Sequence, residues 1–124
     1  MRSNPVNWFE IAVSDMERAR RFYEAVLGVT LTNLPIEGGG DYWTFPMDEE
    51  RMGAGGALTS MPGMKPGDGG TLIYFNCEDC AIEQGRVEPA GGQVVQPKMR
   101  IGDYGFIAIC RDTEGNPFGL YSKG

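Results

Sequence analysis

The chain has 124 residues, of which 41% are hydrophobic, with 17 Asp and Glu against 11 Lys and Arg for a net charge of −6. This is enough chain for one packed domain, and its negative charge opposes nucleic acid and anionic membrane surfaces while mildly favouring a cationic ligand. It contains no His, which excludes Ser-His-Asp and Cys-His catalysis, His-ligated zinc or nickel, and the two-His-one-carboxylate iron site.

Residues 1–7 carry one Arg and no apolar run behind it, so they do not read as a signal peptide. No segment approaches the roughly 20 apolar residues that a bilayer demands. Three Cys are an odd and sparse count, and a reduced, cytoplasmic compartment is expected.

Residues 8–13 predict a strand with Phe9, Ile11 and Val13 on one face and Trp8, Glu10 and Ala12 on the other. A helix is predicted over 15–27, capped by Ser14 with Glu17 completing a capping box. Met16, Ala19, Phe22, Tyr23 and Val26 form its apolar stripe, and the pairs Glu17–Arg21 and Arg20–Glu24 are expected on its wet face. Gly28 stops it in the left-handed conformation. Strands are expected over 29–35, over 41–47, and from the glycines at 53–56 to about Met61.

A Pro/Gly linker at about 62–70 then leads into a second run of the same order. Residues 71–77 predict a strand and 79–90 a helix weakened by Gly85 and Pro89. Strands over 93–99, 103–111 and 116–122 follow, with Asp112-Thr-Glu-Gly115 as the last hairpin turn. The likeness is residue by residue. At a shift of 64 places Val13-Ser14-Asp15 falls on Cys77-Glu78-Asp79 and Gly28 on Gly92, and at 62 places Gly40-Asp41-Tyr42 falls on Gly102-Asp103-Tyr104. Two copies of one strand-helix-strand-strand-strand unit, about 6–61 and 71–123, thus form a single α+β domain, since each is too small to hold a core alone. The Cys77-x-x-Cys80 spacing suggests redox or zinc chemistry, but Cys77 aligns with Val13 and Cys80 with Met16, both core positions, so both are expected as buried apolar residues. Cys110 is expected to be structural too.

Val13-Ser14-Asp15-Met16-Glu17-Arg18-Ala19, Phe22-Tyr23, Val26-Leu27-Gly28 and the ending Asp112-Thr-Glu-Gly115-Asn116-Pro-Phe-Gly-Leu120 resemble the vicinal oxygen chelate superfamily, also called the glyoxalase/bleomycin resistance protein/dioxygenase superfamily. The resemblance spans essentially the whole chain. It implies two βαβββ modules in tandem, curled into one cleft or barrel-like mixed sheet with the helices outside, and a homodimer. It also implies metal ligands at the positions held here by Trp8, Ala57, Leu72 and Gly119, none of which can ligate a divalent cation. The expectation is a metal-free, cofactor-free cleft.

The resemblance therefore leads to a protein that binds a small organic molecule, as bleomycin-type resistance proteins bind a cationic drug in an acidic, aromatic-walled cleft. The alternative is a metal-independent lyase, isomerase or dioxygenase-like enzyme with Glu10 or Tyr74 as acid–base groups. The ligand-binding candidates are Trp8, Glu10, Trp43, Tyr74 and Gly119. Glu10 stands out because a carboxylate in an apolar strand is costly unless wet or paired. Tyr74 is its repeat partner, and Trp8 offers a stacking or cation–π wall. Alternation places one of Tyr42 and Trp43 on the cleft face and leaves open which.

Overall fold

A computed structural model describes residues 4–67 and 69–124 of the chain. The reading of the first three residues and of Asp68 in the linker lies outside the described residues. The elements are β1 (Val6–Ala12), α1 (Met16–Leu27), β2 (Thr32–Asn33), β3 (Tyr42–Thr44), β4 (Gly55–Thr59), β5 (Thr71–Asn76), α2 (Cys80–Val87), β6 (Gln93–Arg100), a 3-10 turn (Gly102–Tyr104), β7 (Phe106–Arg111) and β8 (Pro117–Ser122). The order βαβββ occurs twice, and the α+β class follows as the sequence predicts.

The chain divides into two compact units, residues 8–71, and residues 72–124 together with the N-terminal segment that ends at Asn7. That segment joins the second unit through the Asn76 amide, which donates to Pro5 O at 2.7 Å.

In the first unit the strands run in the order β2-β3-β4-β1. β1 and β4 are parallel, and the other neighbours are antiparallel. Ile11, Val13, Leu31, Trp43, Phe45 and Leu58 pack against Met16, Ala19 and Tyr23 of α1. Phe45 meets Phe9 at 5.6 Å and the edge of Tyr23 at 5.8 Å between ring centres, geometries that suit the aromatic quadrupole. The predicted inner face of β1 is therefore the inner face.

The second unit has the order β5-β8-β7-β6, with β5 and β8 parallel and the rest antiparallel. Cys77, Cys80, Ala108, Cys110 and Leu120 are buried with Phe75, Val94, Phe106 and Phe118 around them. The three cysteines are thus core residues, all free thiols. Burial, with Glu83 alongside, pushes the Cys77 thiol up to about 11, the opposite of what a nucleophilic or metal-binding thiol needs.

Local details depart from the sequence reading for physical reasons. Asp15, not Ser14, caps α1: its carboxylate accepts from Arg18 N at 3.1 Å. Asp79 caps α2 in the same way through Ala81 N, and Lys98 Nζ, 2.8 Å away, holds the Asp79 carboxyl below its usual range. Gly28 does end α1 at φ 67. Arg20 is not on a wet face. Its guanidinium lies 3.6 Å from the centre of the Trp43 ring while pairing with Glu24 at 3.6 Å. Conversely Phe22 and Val26, read as part of the buried stripe, are exposed; the helix turns Ala19, Arg20 and Tyr23 inward instead. α2 ends at Val87, short of the predicted Ala90, and the Gly92 amide closes it by donating to Val87 O. The strand predicted from 103 begins only at Phe106, because Gly102–Tyr104 coil into the 3-10 turn.

The cap assignment is testable. Asp15→Ala is expected to destabilise the protein by about 1 kcal/mol and Ser14→Ala by less than half of that, as read from urea unfolding midpoints. Equal losses would return the cap to Ser14.

Candidate functional site

Residues paired directly across neighbouring strands share a face of the sheet. The registers Trp8–Gly55, Glu10–Ala57, Ala12–Thr59, Thr44–Ala57, Tyr42–Thr59 and Thr32–Thr44 therefore put Trp8, Glu10, Tyr42, Thr32, Thr44, Ala57 and Thr59 on the face away from α1. It is a polar face on an otherwise apolar sheet, and it carries one carboxylate.

Three of its side chains are joined. The indole Nε1–H of Trp8 donates to Tyr42 Oη at 2.9 Å, and Tyr42 Oη–H donates to Glu10 Oε2 at 2.6 Å. The second bond is at the short end, as bonds to an ionised acceptor are. Burial, and after it the charge of Glu10 and the bond to Glu10, raise the Tyr42 phenol well above its ordinary 10.0. Tyr42 is therefore a protonated donor throughout the neutral range.

The structure brings Trp8 and Glu10 together as expected and adds Tyr42. Trp43 goes the other way. It pairs with Leu58 on the helix face, packs in the first core and lies under Arg20. The open choice between Tyr42 and Trp43 thus resolves to Tyr42. The signal was present in Tyr42-Trp43-Thr44-Phe45: Trp43 and Phe45 form one apolar face, and Tyr42 and Thr44 the polar one.

In the second unit Tyr74 pairs with Gly119 across β5 and β8. Both are buried, and the Tyr74 ring lies on Gly119 so closely that a Cβ there would strike it. Gly119 is thus the seat of an aromatic ring. The repeat counterpart of Tyr42, Tyr104, sits in the 3-10 turn and is 60% exposed, so the second unit does not reproduce the hydrogen-bonded chain.

The four positions where the family resemblance implies metal ligands can be tested against this geometry. Ala57 is fully buried beside Glu10, Leu72 is buried, Gly119 is covered by Tyr74, and the Trp8 nitrogen spends its proton on Tyr42. These residues do not fit a divalent cation. Among the described residues no group of three or more Cys, Asp or Glu side chains is placed to hold one.

A sequence model of the Glyoxalase/Bleomycin resistance protein/Dioxygenase superfamily matches residues 6–120, and the chain belongs to that superfamily. The provisionally named glyoxylase CFP32 of Mycobacterium tuberculosis is 29% identical over 125 residues, covering 97% of this chain and 46% of its own length. The anthracycline biosynthesis protein DnrV of Streptomyces peucetius is 28% identical over 127 residues, covering 94% and 46%. The chain thus spans about half the length of these curated relatives. Among solved structures, the methylmalonyl-CoA epimerase of Mycobacterium tuberculosis superposes with a TM-score of 0.71 at 16% identity, covering 97% of this chain and 88% of that one. The Streptomyces coelicolor epimerase bound to 2-nitronate-propionyl-CoA gives 0.72 at 18%, covering 98% of both. At such identities the likeness is one of fold. No helix among the described residues is long and apolar enough to cross a membrane.

Two outcomes follow. The raised Tyr42 phenol contributes stability that is complete below pH about 10 and declines as pH rises further, because the unfolded chain releases that proton first. Glu10→Gln removes two of the three upward causes and leaves burial, so the folded Tyr42 phenol should ionise at a lower pH in the variant than in the wild type, as read by tyrosinate absorbance in an alkaline titration. Identical titrations would mean that Glu10 does not raise the phenol. Gly119→Ala forces the Tyr74 ring off its seat and should cost about 1–3 kcal/mol in unfolding free energy, as overpacking does. A neutral result would mean that the ring moves aside freely.

Proposed function

We propose that this chain binds a small organic cation on the face of the first unit's sheet, with Glu10 as its polar anchor and Trp8 as its aromatic wall, and that it does so without a metal. The observation that carries this reading is the Trp8–Tyr42–Glu10 chain of hydrogen bonds on a strand face turned away from the helix. A half-buried carboxylate is expensive to keep on a β-sheet. Tyr42 is a neutral donor to it, and that bond orients the carboxylate without adding a positive charge. An indole ring two residues away on the same face supplies the surface that cations favour. The net charge of −6 draws such a ligand in. Tyr74, seated on Gly119 in the second unit, is the corresponding aromatic wall on that unit's own sheet face. Membership of a superfamily that includes resistance proteins and enzymes is compatible with this reading and does not choose among chemistries. The homodimer that the resemblance implies and the cytoplasmic location that the sparse cysteines suggest belong to the same proposal.

Benzyltrimethylammonium is a suitable probe, since it offers a fixed positive charge and no hydrogen-bond donor. Isothermal titration should give saturable binding at one site per chain. Glu10→Gln keeps the shape and removes the charge, and should weaken that binding by about 1.5–3 kcal/mol. Equal affinity in both proteins, or one divalent ion per chain by elemental analysis after mild chelation, would contradict the proposal.

A further inference from the structure

The bond from Tyr42 to Glu10 joins residues that are not on neighbouring strands. β4 runs between β3 and β1, so the two backbones stand about 10 Å apart at the usual strand spacing. The two side chains meet by leaning toward each other over β4. Two β4 residues lie beneath the crossing, both fully buried: Thr59, the register partner of Tyr42, and Ala57, the register partner of Glu10. At the Glu10 end only the methyl group of Ala57 stands on this face. A longer side chain there would press against the Glu10 side chain.

The direction of the chain is forced by chemistry. An indole nitrogen only donates and an ionised carboxylate only accepts. The Tyr42 oxygen must therefore accept from Trp8, and its single proton must go to Glu10. We propose that Tyr42 is the positioning residue of this face: carried over β4 and oriented by the Trp8 indole, its hydroxyl fixes the Glu10 carboxylate in one orientation for an incoming cation, and the small side chain at Ala57 is what admits it. This deepens the cation-binding reading and rests on it for the affinity it predicts. The orientation itself belongs to the protein alone and is read without ligand. Tyr42 touches no ligand in this account; it acts through Glu10. The device belongs to the first unit, since Tyr104 of the second lies in a 3-10 turn and not in a strand.

The Trp8 indole proton reports its link to Tyr42 directly, and the protein has one other indole, Trp43, as an internal control. Tyr42→Phe keeps the ring and removes the link. Ala57→Val crowds the Glu10 end of the crossing and leaves Trp8, Tyr42 and Glu10 unsubstituted. In both variants the Trp8 Nε1–H resonance should move upfield and exchange with solvent about tenfold faster, with the Trp43 resonance unmoved. Benzyltrimethylammonium affinity should fall about tenfold, the order of one charge-assisted hydrogen bond. Thermal melts of both variants guard against simple unfolding, and Tyr42→Phe is the milder of the two. An unmoved Trp8 resonance in folded Tyr42→Phe overturns the inference. A moved resonance with unchanged affinity also overturns it, making the chain internal packing only. If the wild type fails to bind the probe at all, the cation-binding reading falls and takes the affinity half of this inference with it, while the resonance still decides whether the Trp8 indole holds the Tyr42 hydroxyl.

Discussion

A carboxylate on a β-strand cannot stay half-buried without a partner, and the partner decides what the carboxylate can still do. The Tyr42 phenol, held above its ordinary ionisation range, donates one hydrogen bond to Glu10 and brings no positive charge of its own. The other features of the first unit's polar face follow from that bond. Trp8 must sit two residues before Glu10 to polarise the phenol, Tyr42 must point away from the helix, and Ala57 must be small.

The same register explains why Trp43 and Tyr42 part company. Strand alternation sends neighbouring residues to opposite faces. Trp43 opposes Leu58 and enters the core under Arg20, whose guanidinium is held over the ring by Glu24. Glu24 in turn accepts the Leu31 amide at 2.9 Å, which ties the chain after α1 back to the helix. A charged pair at helical spacing thus serves the core side of the helix. Spacing alone cannot distinguish that from a solvent-facing pair.

Much of the fold was legible in the residues because it repeats. Two copies of one pattern gave both helices and all eight strands, and Gly28 marked where α1 ends. Cys77 and Cys80 were readable as core because their counterparts, Val13 and Met16, are apolar. The repeat misled where the copies diverge: Tyr42 lies on a strand, whereas Tyr104 lies in a 3-10 turn flanked by Gly102 at φ 60 and Gly105 at φ 120. Ser14 and Asp15 are both able caps, and only backbone geometry chooses between them. Of the site, Trp8 and Glu10 were visible as polar-face residues of β1. Tyr42 was visible as one of two alternatives for that face, and its bond to Glu10 was not, since it depends on a contact across two strands that no local pattern encodes.

The superfamily builds varied chemistry on one scaffold, and the scaffold alone leaves the choice open. In this chain the positions that resemblance assigns to a metal hold an indole, a methyl, an isobutyl group and a bare glycine. The most direct test of the central claim is a crystal structure of the protein with benzyltrimethylammonium. The account predicts the ammonium group against the Trp8 ring and within about 5 Å of the Glu10 carboxylate, with the Tyr42 hydroxyl still on Glu10. Density for the cation elsewhere, for instance in the apolar groove bordered by Tyr23, Leu27 and Phe45, or a Glu10 turned away from Tyr42 in the complex, would contradict it.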